Sequence, residues 1–414
     1  MNFYLTSLFV AIPLFMILII IEELYARYKG IIINRSADMI SSLSSGITNL
    51  TKDVLKFSIV LISYPWLVDN IMIYKVEQFW IIVLCALIVQ DFTGYWLHRL
   101  NHRVNIFWNR HVIHHSSEEF NLSCALRQSI SQTFNYAAIL MIPAAILGIP
   151  PYIFAVLGPI HLFMQFWYHT RLIKDMGILE YIIVTPSHHR VHHAINPEYI
   201  DKNYSQIFII WDKIFGTFQK ELPNVKPVYG TLTPSLTWNP ILINFKHLWQ
   251  LIKDSWRTKN YIDKFKIWFM PTGWRPDDVS LKFPIQKIDN PLKQKKYNPY
   301  ISKKLVMFSW IEYFVASTMM FHLFFLFDNQ TLILNYYYAG YIFLYIYLYS
   351  LLMDARTSFN LFALIKISTF FYILFYQDFT WFGLSKIFTI FISSYILVSS
   401  LLPVIFENYK KRKT

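Results

Sequence analysis

Nine of the thirteen histidines fall in two short windows: His98, His102, His111, His114 and His115, then His188, His189, His192 and His193. Within them the spacing reads His-x3-His, His-x2-His-His and His-His-x2-His-His. Side chains three or four residues apart share one helix face, about 5–6 Å apart at Cβ. Three short helical stretches can therefore aim imidazoles at a common centre, and imidazole is the commonest protein ligand for metals. A metal also keeps so many neighbouring rings neutral, where protonation would bring repulsion and a desolvation penalty. A zinc site uses four positions, so this cluster exceeds one zinc, and two ions with about four imidazoles each fit the count. The only cysteines, Cys85 and Cys124, are too few for thiolate-held zinc or iron–sulfur clusters. The glutamates of carboxylate-rich di-iron bundles are absent from these windows, which leaves a histidine-rich dinuclear site.

The chain that must position these rings is 55% hydrophobic and only 15% charged, well below the roughly 25% charge of soluble domains. This composition predicts an all-α, polytopic membrane helix bundle whose histidine site lies under a helical cytosolic cap. Apolar runs at 3–21, 54–73, 79–97, 132–149, 152–168, 305–327, 332–352, 359–377 and 383–405 are candidate spans. The first run lacks a basic start and is followed by Glu22 and Glu23, so it is expected to be an uncleaved span. Basic residues after it, and at Lys410, Lys411, Arg412 and Lys413, place those segments in the cytoplasm. Counting crossings from there brings every histidine window to the cytoplasmic face. Three units follow: N-terminal spans at 1–78, a histidine-bearing core with its cap at 79–304, and a four-span C-terminal bundle at 305–414.

Residues 195–304 hold 18 Lys and Arg against 9 Asp and Glu, and are too polar to cross a membrane. Trp211, Trp238, Trp249, Trp256, Trp268 and Trp274 lie among them. Two readings stand: a cap resting on the membrane surface, or a soluble subdomain with a tryptophan core. The net charge of +13 follows these juxtamembrane segments, and no nucleic-acid motif accompanies it. No Gly-x-Gly-x-x-Gly, Walker loop, Cys-x-x-Cys-His or His-Glu-x-x-His is present. Electrons for any oxygen chemistry must then come from an external donor. A metal transporter would hold its site near the bilayer midplane, whereas these windows sit at span ends.

The windows, with the strings His111–Ser123, Ala125–Ser129, Gln165–Thr170, Thr185–His193, Asp201–Tyr204 and Ile210–Phe218, resemble the fatty acid hydroxylase / sterol desaturase superfamily of membrane di-iron oxygenases. The strings between the histidines favour its alkylglycerol branch, and the likeness covers roughly residues 85–275. It implies that His98, His102, His111, His114, His115, His189, His192 and His193 hold two irons, with His169 as a ninth ligand. His188 is a ligand or an orienting neighbour, and His161 and Gln165 are candidates to touch a metal or its water. The resemblance implies O2, a lipid substrate and hydroxylation of a C–H bond, with sterol desaturation or fatty-acyl or carotenoid hydroxylation as alternatives. It also implies tetrahydrobiopterin or a redox protein as reductant; Arg103, where the alkylglycerol branch carries a glutamate after the second histidine, counts against the pterin. Imidazole N–H groups need acceptors, and Asp91, Asp201 and Asp212 are the candidates.

Overall fold

The computed structural model describes residues 3–132 and 134–411, and these are mostly helical. Arg412 and Lys413 of the basic tail lie outside the described residues. The first apolar run forms α1 (Phe3–Tyr28), whose Leu14, Ile17, Ile21 and Leu24 stay exposed, as a lipid-facing helix requires. After it comes α2 (Ser36–Val54), amphipathic and lined on its buried face by Asp38, Ser41, Ser42, Ser44, Ser45 and Thr48. Helix geometry ends there, with Lys56 in the left-handed region at φ 54°.

The expected span at 54–73 is not a helix. It contains β1 (Ile59–Val60) and the eight-residue α3 (Tyr64–Ile71). Ser63 starts α3 by accepting the Trp66 N–H, and Pro65 in its first turn cannot donate to a preceding turn. Next comes α4 (Phe79–Arg103), 25 residues, then the short α5 (Asn105–Trp108) and α6 (Val112–His115). The expected span at 132–149 is likewise broken, into β2 (Phe134–Asn135), α7 (Ala137–Leu140) and α8 (Ile142–Ile146). Its partner is α9 (Pro151–Phe166), whose 16 residues reach about 24 Å, short of the roughly 30 Å apolar layer.

Among the described residues, five helices are long and apolar enough to cross a membrane, covering Leu5–Tyr28, Phe79–Arg103, Lys303–Leu326, Phe359–Tyr376 and Lys386–Ile405. Of the nine expected spans, the prolines and the left-handed turn break two, α9 is too short, and the stretch at 332–352 forms one continuous helix that is not among these five. β1 and β2 pair in parallel, and Ile73, Tyr74 and Val76 donate backbone N–H groups to Ile146 and Leu147. The two broken segments thus run side by side toward the starts of α4 and α9, and those helices return together to the histidines.

The remaining helices are α10 (Pro186–His192), α11 (Ile210–Ile214), α12 (Pro240–Arg257), α13 (Tyr261–Phe269) and α14 (Asp277–Lys282), then α15 (Lys303–Leu326), α16 (Leu332–Met353), α17 (Phe359–Tyr376) and α18 (Lys386–Lys411). α1 and α2 share one apolar core with α15–α18, including Leu5, Ile40, Leu323, Ile346 and Phe362. Within that core Lys366 of α17 meets Glu312 of α15 at 2.6 Å and Ser399 of α18 at 2.8 Å. Satisfying a buried cation this way ties three helices together.

The cap hangs on Asn105, just past the end of α4. Its side chain donates to the Ile267 and Trp274 carbonyls and accepts the Gly273 N–H, while its own carbonyl accepts from His247 Nε2 at 2.9 Å. Burial lowers His247 to about 4. The sign follows: a folded pKa below the ordinary 6.5 gives stability that is complete above 6.5 and is lost as pH falls toward 4, because the undocked ring takes the proton. The protection of α12 amides, taken as exchange relative to the intrinsic base-catalysed rate at each pH, should therefore fall between about pH 7 and about pH 5, and His247→Gln should flatten that dependence. Protection in the wild type that is constant over this range would contradict the assignment.

Candidate metal centre

Four parts of the chain bring the histidines together. One turn apart near the end of α4 stand His98 and His102; His111, His114 and His115 lie in and just before α6, His169 follows α9, and His189, His192 and His193 lie in and just after α10. Each short helix serves two centres, because adjacent residues point about 100° apart while residues four apart share a face. His98, His102, His111, His115 and His192 form one group; His114, His169, His189 and His193 form the other. In each group the candidate ligand atoms all lie within 4.8 Å of one another.

The tautomers point to a cation. His98 donates Nδ1–H to the Tyr204 carbonyl at 2.7 Å, His114 to Arg127 at 3.2 Å, His169 to Gln165 at 2.8 Å and His192 to Lys202 at 2.9 Å. Each of these neutral rings then presents a bare Nε2 lone pair inward. Yet His169 Nε2 faces His114 Nε2 at 3.2 Å, two lone pairs with no proton between them. Close Nε2–Nε2 contacts also join His98 to His111 at 3.0 Å, His102 and His192 each to His115 at 3.1 Å, and His193 to His189 at 2.9 Å; in each of these at least one ring has no carbonyl acceptor on Nδ1, so the His114–His169 pair is the one with both tautomers fixed. Protonation does not relieve them. Burial holds His114 down at about 3, and burial followed by the neighbouring imidazoles holds His111, His115, His189 and His193 well below their ordinary value. A metal ion accepts all the lone pairs at once, so the donor set fits one ion in each group.

The expected acceptors are placed differently. Asp91 is fully buried and accepts the backbone N–H groups of Ile207 and Phe208, the Trp211 indole and His161 Nε2. Asp212 accepts the N–H groups of Tyr204 and Ser205 at 2.8 Å and the Thr217 hydroxyl at 2.6 Å. Neither meets a clustered imidazole; both hold the backbone that does. Asp201 comes nearest, 4.0 Å from His102 Nδ1, but its close partner is Arg103 at 2.6 Å. Arg103 is therefore committed to an ion pair at the rim of the five-histidine group.

His188 stands outside both groups. Its Nδ1 accepts the Thr185 N–H at 3.3 Å, so the ring helps start α10, whose N-cap is Thr185. His161 is bound to Asp91 and Gln165, and neither His161 nor Gln165 belongs to a group, although the Gln165 carbonyl orients His169.

Residues that spacing alone did not single out hold the site from behind. Asp201 and Asn203 both take left-handed backbone, at φ 59° and 56°, and this double bend turns the Lys202 and Tyr204 carbonyls toward His192 and His98. Asn203 also donates to the carbonyls of His188 at 3.0 Å and Gln219 at 2.7 Å. Asn tolerates this conformation better than other side-chain-bearing residues. Its Oδ1 accepts the Gln219 N–H at 2.8 Å, so Asn203→Gly keeps the bend and loses three hydrogen bonds, whereas Asn203→Ala loses the bend as well. Metal content should fall further in the alanine variant, by about tenfold or more in affinity; a glycine variant that is the worse of the two would contradict this role. On the other side, Glu22 of α1 accepts the Leu122 N–H at 2.7 Å and the hydroxyl of Thr170, beside His169, at 2.6 Å.

Arg127 shows what pins the site to α2. It is 2% exposed, donates to the hydroxyls of Ser42 and Ser116, and pairs with Asp38 at 3.0 Å, while its carbonyl holds His114. Asp38 also accepts the Ser117 hydroxyl at 2.6 Å.

All nine clustered histidines fall within residues 83–217, and that stretch matches the family described as Fatty acid hydroxylase. Over 313 residues the chain is 36% identical to an alkylglycerol monooxygenase of Xenopus tropicalis, covering 75% of this chain and 69% of that one. The chain belongs to the fatty acid hydroxylase family. Another member similar to it is an alkylglycerol monooxygenase of Homo sapiens, 42% identical over 269 residues, or 64% of this chain. The chain spans 59% of that human relative's length. An ornithine lipid hydroxylase of Rhizobium tropici is 31% identical over 136 residues, covering 33% of this chain and 41% of its own. No solved structure matches. With five helices long and apolar enough to span and membrane enzymes among its relatives, this family member is an integral membrane protein.

Proposed function

We propose that this protein is a di-iron monooxygenase that hydroxylates a C–H bond of a membrane lipid, with an alkylglycerol ether as substrate. The observation that carries the reading is the convergence of nine imidazoles, eight buried and His111 partly so, into groups of five and four, with His114 and His169 set lone pair to lone pair where a cation relieves the contact. The relatives named alkylglycerol monooxygenase support the choice of substrate. Residues 79–304 would carry the chemistry, on the cytoplasmic face.

When bound, two irons would supply the one-electron chemistry needed to activate O2. The protein's own share is placement and protection. Carbonyls of Tyr204, Arg127, Gln165 and Lys202 fix four tautomers so that Nε2 is the donor atom. Aromatic rings wall the groups: Trp108 lies 5.0 Å from His102, Tyr168 4.2 Å from His189 and Phe120 5.3 Å from His193, ring centre to ring centre. Such walls exclude bulk water from an oxidising centre. In the reaction, one atom of O2 enters the carbon next to the ether oxygen and the other leaves as water, with two electrons and two protons from an external donor. The resulting hemiacetal separates into an aldehyde and glycerol.

Arg103, paired with Asp201, favours a second reading in which the same machinery serves a redox protein rather than a pterin and acts on another lipid. Purified protein given O2, reductant and an alkylglycerol should release the aldehyde, with either tetrahydrobiopterin or a reduced redox protein as donor. O2-dependent oxidation of a sterol or acyl lipid, with the ether lipid untouched, would move the assignment to that second reading.

A further inference from the structure

The cap carries an apolar face that nothing among the described residues covers. Along α12 the buried positions are Ile243, Asn244, Leu251 and Asp254, which pack toward the site. On the other side Phe245, Trp249, Ile252 and Trp256 project at intervals of four, three and four residues, and Trp256 is 86% exposed. α13 continues the stripe with Ile262, Phe265 and Phe269, Phe265 being 75% exposed. Bulky residues rarely stand free in such a row unless something apolar receives them. Of the six tryptophans the sequence placed in the cap, Trp238 is core, whereas Trp249 and Trp256 are the exposed pair in this stripe.

The flanks are basic. Lys246, Lys253, Arg257, Lys259, Lys264 and Lys266 lie on the two helices or between them, and none forms an ion pair among the described residues. The acid of α12, Asp254, is buried and spent on Arg275 at 2.6 Å; Asp263 is the other acid of the pair of helices.

From this stripe and its basic flanks, we propose that α12 and α13 dock on the bilayer, seating Trp249, Trp256, Ile262, Phe265 and Phe269 among the lipids and their cations against anionic headgroups. An amphipathic surface of this make-up settles about 5–10 Å into the headgroup boundary and gains from negative lipid. A second copy of the chain is a poorer occupant: a two-fold contact would set this basic flank against itself.

The test uses the full-length protein in nanodiscs of mixed phosphatidylcholine and phosphatidylglycerol. A photoreactive benzoylphenylalanine is placed singly at Trp256, Phe265 or Phe269, with Lys220, an exposed polar position, as control. Exposed sites leave the fold intact, which a monodisperse elution profile checks. After illumination, mass spectrometry should find phospholipid adducts at the three cap positions, enriched in phosphatidylglycerol beyond its share of the bilayer, and none at Lys220. Cross-links to a second copy or to another protein, adducts equal at Lys220, or no preference for the anionic lipid would each overturn the proposal.

Discussion

Replacing His115 by alanine should remove one of two bound ions, replacing His114 should remove the other, and either change should abolish turnover. The two residues are neighbours in sequence, yet His115 faces His102 and His192 at 3.1 Å while His114 faces His193 at 3.1 Å and His169 at 3.2 Å. Loss of groups behind a ligand costs about 10- to 100-fold in metal affinity or activity, so loss of a ligand itself should cost at least about 100-fold in turnover. His188→Ala is the informative control. Its ring is buried and adjacent to His189 but outside both groups, so that variant should keep its metal. Metal analysis of the three variants decides between them. A His188 variant as depleted as the His115 variant would contradict the division into five and four.

Asp38→Ala should be the most damaging change outside the histidines. Arg127 and Asp38 are each 2% exposed in their side chains and pair at 3.0 Å. Removing one partner leaves a buried charge uncompensated, at about 3–5 kcal/mol, whereas replacing both by apolar residues of similar volume is often close to neutral. Asp38→Leu combined with Arg127→Met should therefore recover much of the stability lost in Asp38→Ala. Metal binding should recover with it, because the Arg127 contribution to His114 comes from its backbone carbonyl. Denaturation midpoints in detergent, read beside metal content, test both statements. A double variant no more stable than the single one would mean that the hydroxyl contacts to Ser42 and Ser116, rather than the charge pair, hold α2 to the site.

The legible part of the site was the part written in side-chain types. Imidazoles three and four apart betray a shared helix face whatever the tertiary fold, and eight rings read this way, with His169 added by resemblance, do converge. The supports behind them could not be read in the same way, because the acceptors are carbonyls and every residue has one. Asp91 and Asp212, expected to accept imidazole N–H groups, instead bind N–H groups of residues 204–208, one step further from the rings. Glu22 lies 148 residues before Thr170 and Asp38 79 residues before Ser117, and only folding reveals such contacts. For the membrane part, hydropathy found α1, α4, α15, α17 and α18. It failed at 54–73 and 132–149, where the apolar content is that of a span but Pro65, Pro143 and a left-handed Lys56 prevent one continuous helix.

Two irons in one chain are the central claim, and elemental analysis joined to a Mössbauer spectrum of iron-57-loaded protein tests it most directly. Two irons per chain, both in nitrogen-rich surroundings and both lost on His114→Ala plus His115→Ala, are the expected result. A single iron, or zinc filling both groups in the active protein, would contradict it.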